Sequence, residues 1–168
     1  MSEEGKSIRF REANAFEVYA FYKVFQSLHQ EYFAGQMSVA KFTEAAAFSI
    51  PYMVNGTFAC EVALKAYIEI SDAKKAGHNL EALYHCLPKE PKEAIKKAFM
   101  EYGLTDAEFD ATLAESLDLY KKWRYFFDPA QGNLLAPEHF CKLVDAICLT
   151  TMAYSQRLAL SCEMPDFD

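Results

Sequence analysis

From Gly56 to Ile68 almost every position is apolar, and the charges that interrupt or follow the run, Glu61, Lys65 and Glu69, recur every fourth residue. That spacing puts the three on one line of a helix while every other side stays apolar. A helix so apolar is expected inside a bundle, and its charged line must meet water, another side chain or a ligand. The same reading sets its bounds at about Tyr52 to Lys75, with Gly77 as the C-cap and Lys74 and Lys75 facing the negative end of the macrodipole.

The rest of the chain alternates in the same way between helical periodicity and stops. Residues 1–12 are polar and expected to be flexible, and from Asn14 a helical pattern carrying Phe16, Tyr19, Tyr22, Phe25 and Leu28 runs to about Ala34, ahead of Gly35. Ser38 can cap a second helix through Ala47, which is expected to stop before Pro51 because the residue preceding proline resists helical geometry. Leu80 to Cys86 reads as a short helix, and Lys92 to Tyr102 as another closed by Gly103. Thr105 followed by Glu108 forms a capping box opening a long helix to about Phe127. Pro137 starts a last helix to about Leu160. With no repeat, linker or low-complexity segment, residues 1–168 are expected to form one all-α domain. Its architecture is an antiparallel, up-and-down bundle of four to five main helices with a short extra one.

Composition narrows the chemistry. The chain has 168 residues, enough for one domain with a sizeable core, and 14 Phe and 10 Tyr supply large apolar side chains for it. A formal charge of −7 argues against a free-standing nucleic-acid coat. The one basic stretch, Lys89 to Lys97, is interleaved with Glu90 and Glu93 and reads as a solvated helix face. Five cysteines, Cys60, Cys86, Cys141, Cys148 and Cys162, lie mostly in apolar helical surroundings, as reduced buried thiols of a cytoplasmic protein would. No run reaches the roughly 18 uninterrupted apolar residues of a membrane span, so no membrane association is expected.

The familiar catalytic patterns are missing. There is no Cys-x-x-Cys and no His-Glu-x-x-His. No glutamate lies three residues before His29, His78, His85 or His139, so neither a metal centre nor another cofactor is expected. Glycine-rich phosphate loops and nucleophile elbows are absent too. What remains are isolated polar groups in apolar settings. Glu61 and Lys65 form either an exposed pair four residues apart or a partly buried pair that fixes how another helix docks. His78 follows the Gly77 stop. Arg124 sits between Trp123 and Tyr125, where it could hold a phosphate or carboxylate or pair with Glu61.

Three segments in this order, Ala59 to Ala66, His78-Asn79-Leu80 with Leu83, and Trp123-Arg124-Tyr125, resemble the HEPN superfamily of small helical-bundle domains. The resemblance covers about residues 52–127. Many members of that family are metal-independent endoribonucleases, often toxins paired with a nucleotidyltransferase-like antitoxin, whose signature is an arginine followed four to six residues later by a histidine. Here Arg9, Arg11, Arg124 and Arg157 have no histidine at that spacing. The resemblance therefore implies the non-nuclease branch: a non-catalytic, homodimeric domain binding a nucleotide, RNA or protein partner, such as a nucleotidyltransferase-like protein, in a toxin–antitoxin or defence-type system. Glu61, Lys65, His78, Arg124 and Tyr125 would be its ligand-binding residues. The alternative is an endoribonuclease with a rebuilt site that uses Arg124 and His78.

Overall fold

The computed structural model describes the backbone of residues 3–34, 42–68, 76–116 and 139–162, and the side chains of 15–31, 49–68, 76–116 and 139–154. Within these every regular element is a helix. It comprises α1 (Glu3–Ala34), α2 (Phe42–Lys65), α3 (Leu80–Cys86), α4 (Lys89–Met100), α5 (Asp106–Glu115) and α6 (Phe140–Cys162). The expected all-α bundle is the observed one. Among the described residues no helix is long and apolar enough to cross a membrane.

Several boundaries differ from expectation, among them the start of α4 at Lys89 rather than Lys92. Helix α1 starts at Glu3 rather than Asn14. Glu, Lys, Arg and Ala dominate its first turns, and these are strong helix formers whatever their polarity. Helix α2 does not stop before Pro51 but passes through it. Proline there deletes one main-chain donor, and one turn further on the Asn55 side-chain Nδ2 donates to the Pro51 carbonyl at 2.8 Å. A good helix-forming run (Glu44-Ala45-Ala46-Ala47) and a buried downstream face hold the helix together across the defect. Helix α2 also finishes at Lys65, not Lys75, so Gly77 is not its C-cap. The Ala66 amide then splits its bond between the Val62 and Ala63 carbonyls and Tyr67 bonds back only three residues, the tightening typical of a closing turn.

Three long helices frame the core. His29 stacks on Tyr52 and Tyr22 on Tyr52 at centroid distances of 4.9 and 5.4 Å, and Gly56 faces Tyr22, so α1 and α2 run antiparallel. Helix α6 runs with α2: Phe140 meets Tyr52 edge-on, while the Tyr67 hydroxyl donates to the Thr151 carbonyl at 2.7 Å. Tyr22, Met53, Leu64, Leu143, Val144 and Ile147 fill the space between them, all completely or almost completely buried. Helices α3 to α5 close the remaining side through Leu83, Ile95, Phe99 and Phe109, with Phe99 and Phe109 in edge contact at 5.3 Å.

The basic stretch of α4 is a solvated face with a structural use. Its Pro91, Ile95 and Phe99 point inward, and Lys96 pairs with Asp106 at 2.9 Å and Asp110 at 3.2 Å on α5. The capping box at the start of α5 is complete. Thr105 accepts from the Glu108 amide, and Glu108 accepts from both the Thr105 amide and hydroxyl at 2.7 Å. Those two donors hold the Glu108 carboxyl below the usual carboxylate range. Since the unfolded chain then binds the proton more readily, the stabilisation is present above the ordinary carboxylate range and is lost as pH falls through the depressed value. Thr105→Ala, which removes both the cap and a donor to Glu108, should lower stability near neutral pH. In thermal melts taken across the acid range the variant should lose less stability on acidification than the wild type.

The candidate polar site

Glu61 lies in the last turn of α2, where the exposed carbonyls of the helix end disfavour a second negative charge. Its side chain is only 6% exposed, yet it is an acceptor-only group once ionised, so it needs donors. Two arrive. The Lys65 ammonium, one turn on in the same helix, donates to Oε1 at 2.7 Å. The His78 Nδ1 lies 2.9 Å from both Oε1 and Oε2. An ionised carboxylate can only accept, so Nδ1 carries the hydrogen.

The placing of His78 follows from its neighbours. Gly77 adopts φ +65, a left-handed conformation open to glycine at little cost, and turns the chain after Ala76. Asn79 then caps α3, its side chain accepting from the Ala82 amide at 3.0 Å. The imidazole is thus carried on a backbone fixed on both sides, and Leu80 and Leu83 anchor α3 in the core. The outcome is a nearly buried carboxylate beneath two cationic or potentially cationic groups that reach the surface, Lys65 at 29% and His78 at 51% side-chain exposure.

Of the five residues singled out in the sequence, the structure brings Glu61, Lys65 and His78 together from two separate segments. The Glu61–Lys65 pair is the partly buried kind. Arg124 and Tyr125, with Trp123, lie outside the described residues, as does Glu69. Among the cysteines, Cys60 and Cys148 are buried as expected, whereas Cys86 is exposed because it ends the short α3 on its outer side.

A second polar cluster was not anticipated. Asp145 on α6 accepts from the Tyr19 hydroxyl at 2.8 Å and pairs with Lys23 at 3.4 Å, joining α6 to α1. Tyr19, Tyr22, Tyr52 and His29 form a continuous stack, and Gln26 donates to the Tyr22 hydroxyl at 3.1 Å. Burial pushes the phenol of Tyr52 up to about 12 and those of Tyr19 and Tyr22 higher still. The available signal was a single acid within the apolar run Leu143-Val144-Asp145-Ala146-Ile147. An open groove of about 400 Å³ lies between α4 and α5, but its Lys96 is already balanced by Asp106 and Asp110, and neither Glu61 nor His78 lines it.

No protein-family model, curated protein or solved structure matches this chain.

Proposed function

We propose that this chain is a non-catalytic HEPN-like helical domain, homodimeric, that binds the phosphate of a nucleotide or RNA. A nucleotidyltransferase-like protein in a toxin–antitoxin or defence-type system is the partner the family resemblance points to. The observation that carries the ligand reading is the buried Glu61 carboxylate orienting Lys65 and His78 toward the surface. Such an arrangement holds donors in place for an anion at little entropic cost on binding, because their positions are already fixed. The Lys65 ammonium and the His78 ring would offer an anion N–H donors despite the acidic chain. Arg124 and Tyr125 would complete the site.

Equilibrium binding of nucleoside mono- and triphosphates and of short single-stranded RNA tests this. His78→Ala changes a half-exposed group and should leave the fold intact while weakening binding about tenfold, the scale of one charge-assisted hydrogen bond. Arg124→Ala should do the same, and rising salt should weaken the wild type more than either variant. Absence of binding for every phosphate ligand would leave the trio a structural tie between α2 and the turn before α3.

The endoribonuclease alternative draws on the same geometry, since a carboxylate fixing Nδ1 is how many general acid–base histidines are oriented. Incubation with total RNA separates the two readings. Cleavage by the wild type that disappears in His78→Ala makes the chain an enzyme, and equal absence of cleavage removes that reading.

A further inference from the structure

Helices α2 and α6 lie side by side in the same direction, and their contacts fix the register. Phe140 packs against Tyr52 and Gly56 at one end of the seam. At the other, Tyr67 donates to the Thr151 carbonyl and meets the Tyr154 ring edge-on at 5.3 Å. Between these marks Cys60 stands opposite the turn from Val144 to Cys148. Both cysteines are buried, at 0% and 2% exposure, and their thiols hydrogen-bond to each other. No other cysteine pair is so placed among the described residues. Cys86 is exposed at the end of α3, and Cys141, two turns before Cys148, hydrogen-bonds to Tyr52 instead.

We propose that Cys60 and Cys148 form a redox-sensitive lock, closing into a disulfide across the α2–α6 seam when the chain meets an oxidised low-molecular-weight disulfide such as glutathione disulfide. The inference stands apart from the ligand reading above and does not depend on it. A disulfide needs two Cβ atoms brought close and aimed at one another, and thiols within hydrogen-bonding reach already have that aim.

Placement in the core makes the reaction a gated one. Burial, and after it the hydrogen bond with Cys60, push the Cys148 thiol up, and a neutral thiol is a poor nucleophile. The closed bundle is therefore inert, and exchange starts only when the seam opens. One cysteine, as thiolate, then attacks a sulfur of the oxidant, breaks its S–S bond and expels one glutathione thiolate, leaving a mixed disulfide. A close-packed core has no room for a tripeptide, so α2 and α6 cannot close over that adduct. They close when the second cysteine, deprotonated, attacks the protein sulfur of the adduct and expels the second glutathione. The two cysteine sulfurs thereby lose two electrons, which reduce glutathione disulfide to two thiols, and the two cysteine protons pass to the released glutathione. The new bond closes a loop that holds α3, α4 and α5 entire, and long loops gain most from closure. It also ties α2 at the residue preceding Glu61.

The full wild-type chain, reduced and then incubated with glutathione disulfide in urea just below its unfolding transition, tests the lock. Digestion without reductant and mass spectrometry should yield the Cys60 and Cys148 peptides joined, two hydrogens lighter than their sum. Lasting glutathione adducts on either cysteine, unmodified thiols at both, or pairing of either with another cysteine overturns the proposal. The oxidised chain should also unfold at a urea concentration about 1 M higher than the reduced chain. An unchanged or lower midpoint with the bond in place means that it strains the seam, and overturns the lock. Cys148→Val, close in volume, should abolish the shift, and a shift that persists in this variant places the lock elsewhere. If Cys148→Val does not fold, the wild-type peptide map and midpoint decide by themselves.

Discussion

Lys65→Met is expected to lower the stability of the bundle by about 3 kcal/mol, more than the loss of its partner. The reason is the unequal exposure of the two groups. Lys65 can turn to water when Glu61 is removed, but Glu61, 6% exposed at the carbonyl end of α2, cannot reach water when Lys65 is removed. Breaking a buried pair in the direction that strands the buried charge costs about 3–5 kcal/mol, and the remaining His78 contact places the value at the lower end. Glu61→Gln keeps an acceptor of the same shape and frees two groups that hydrate readily, so its cost should be about 1 kcal/mol. Urea unfolding of the two variants side by side checks the order. Equal losses, or a greater loss for Glu61→Gln, would mean that the carboxylate is better solvated than its surroundings indicate.

The second large effect concerns the closest approach of helices in the core. A Cβ built on Gly56 would lie 2.9 Å from Phe140 Cε1 and 3.0 Å from both Phe140 Cζ and Tyr22 Cδ2. Helix propensity favours alanine over glycine by about 1 kcal/mol, so a roomy site would make Gly56→Ala stabilising. Here both rings are completely or almost completely buried and have little space to retreat, and overpacking should prevail with a net loss of about 1–3 kcal/mol. Phe140→Ala alone should cost about 3–5 kcal/mol through the cavity it leaves. Combined, the two should cost less than the sum of the singles, because one creates the space the other needs. Denaturant titration of all four chains gives the coupling directly. Strict additivity would show that the contact relaxes without cost.

Much of the bundle was legible because its evidence is local. The Thr105–Glu108 box and the Leu80–Cys86 turn each depend on residues within one or two turns of one another, and each occurs where the sequence puts it, whereas Gly77 has its left-handed φ without capping α2. Pro51 misled because the energy that carries α2 through it comes from the buried face downstream of it. The charged line was visible as periodicity, but that His78 returns to Glu61 is a matter of how the chain folds back beyond Lys65, which spacing alone does not encode. Asp145 was passed over for the opposite reason: its partners Tyr19 and Lys23 sit on the first helix, more than a hundred residues away.

The stacked phenols between α1 and α2 have a bearing on how the molecule meets strong base. Each of Tyr19, Tyr22 and Tyr52 resists ionisation in the folded chain and ionises more easily once released. Their protonated forms therefore lend full support up to the ordinary tyrosine range near pH 10, and that support drains away as alkalinity increases beyond it. An upper alkaline limit is thus set at the α1–α2 seam, where hydroxide would draw the protons out only as the helices part.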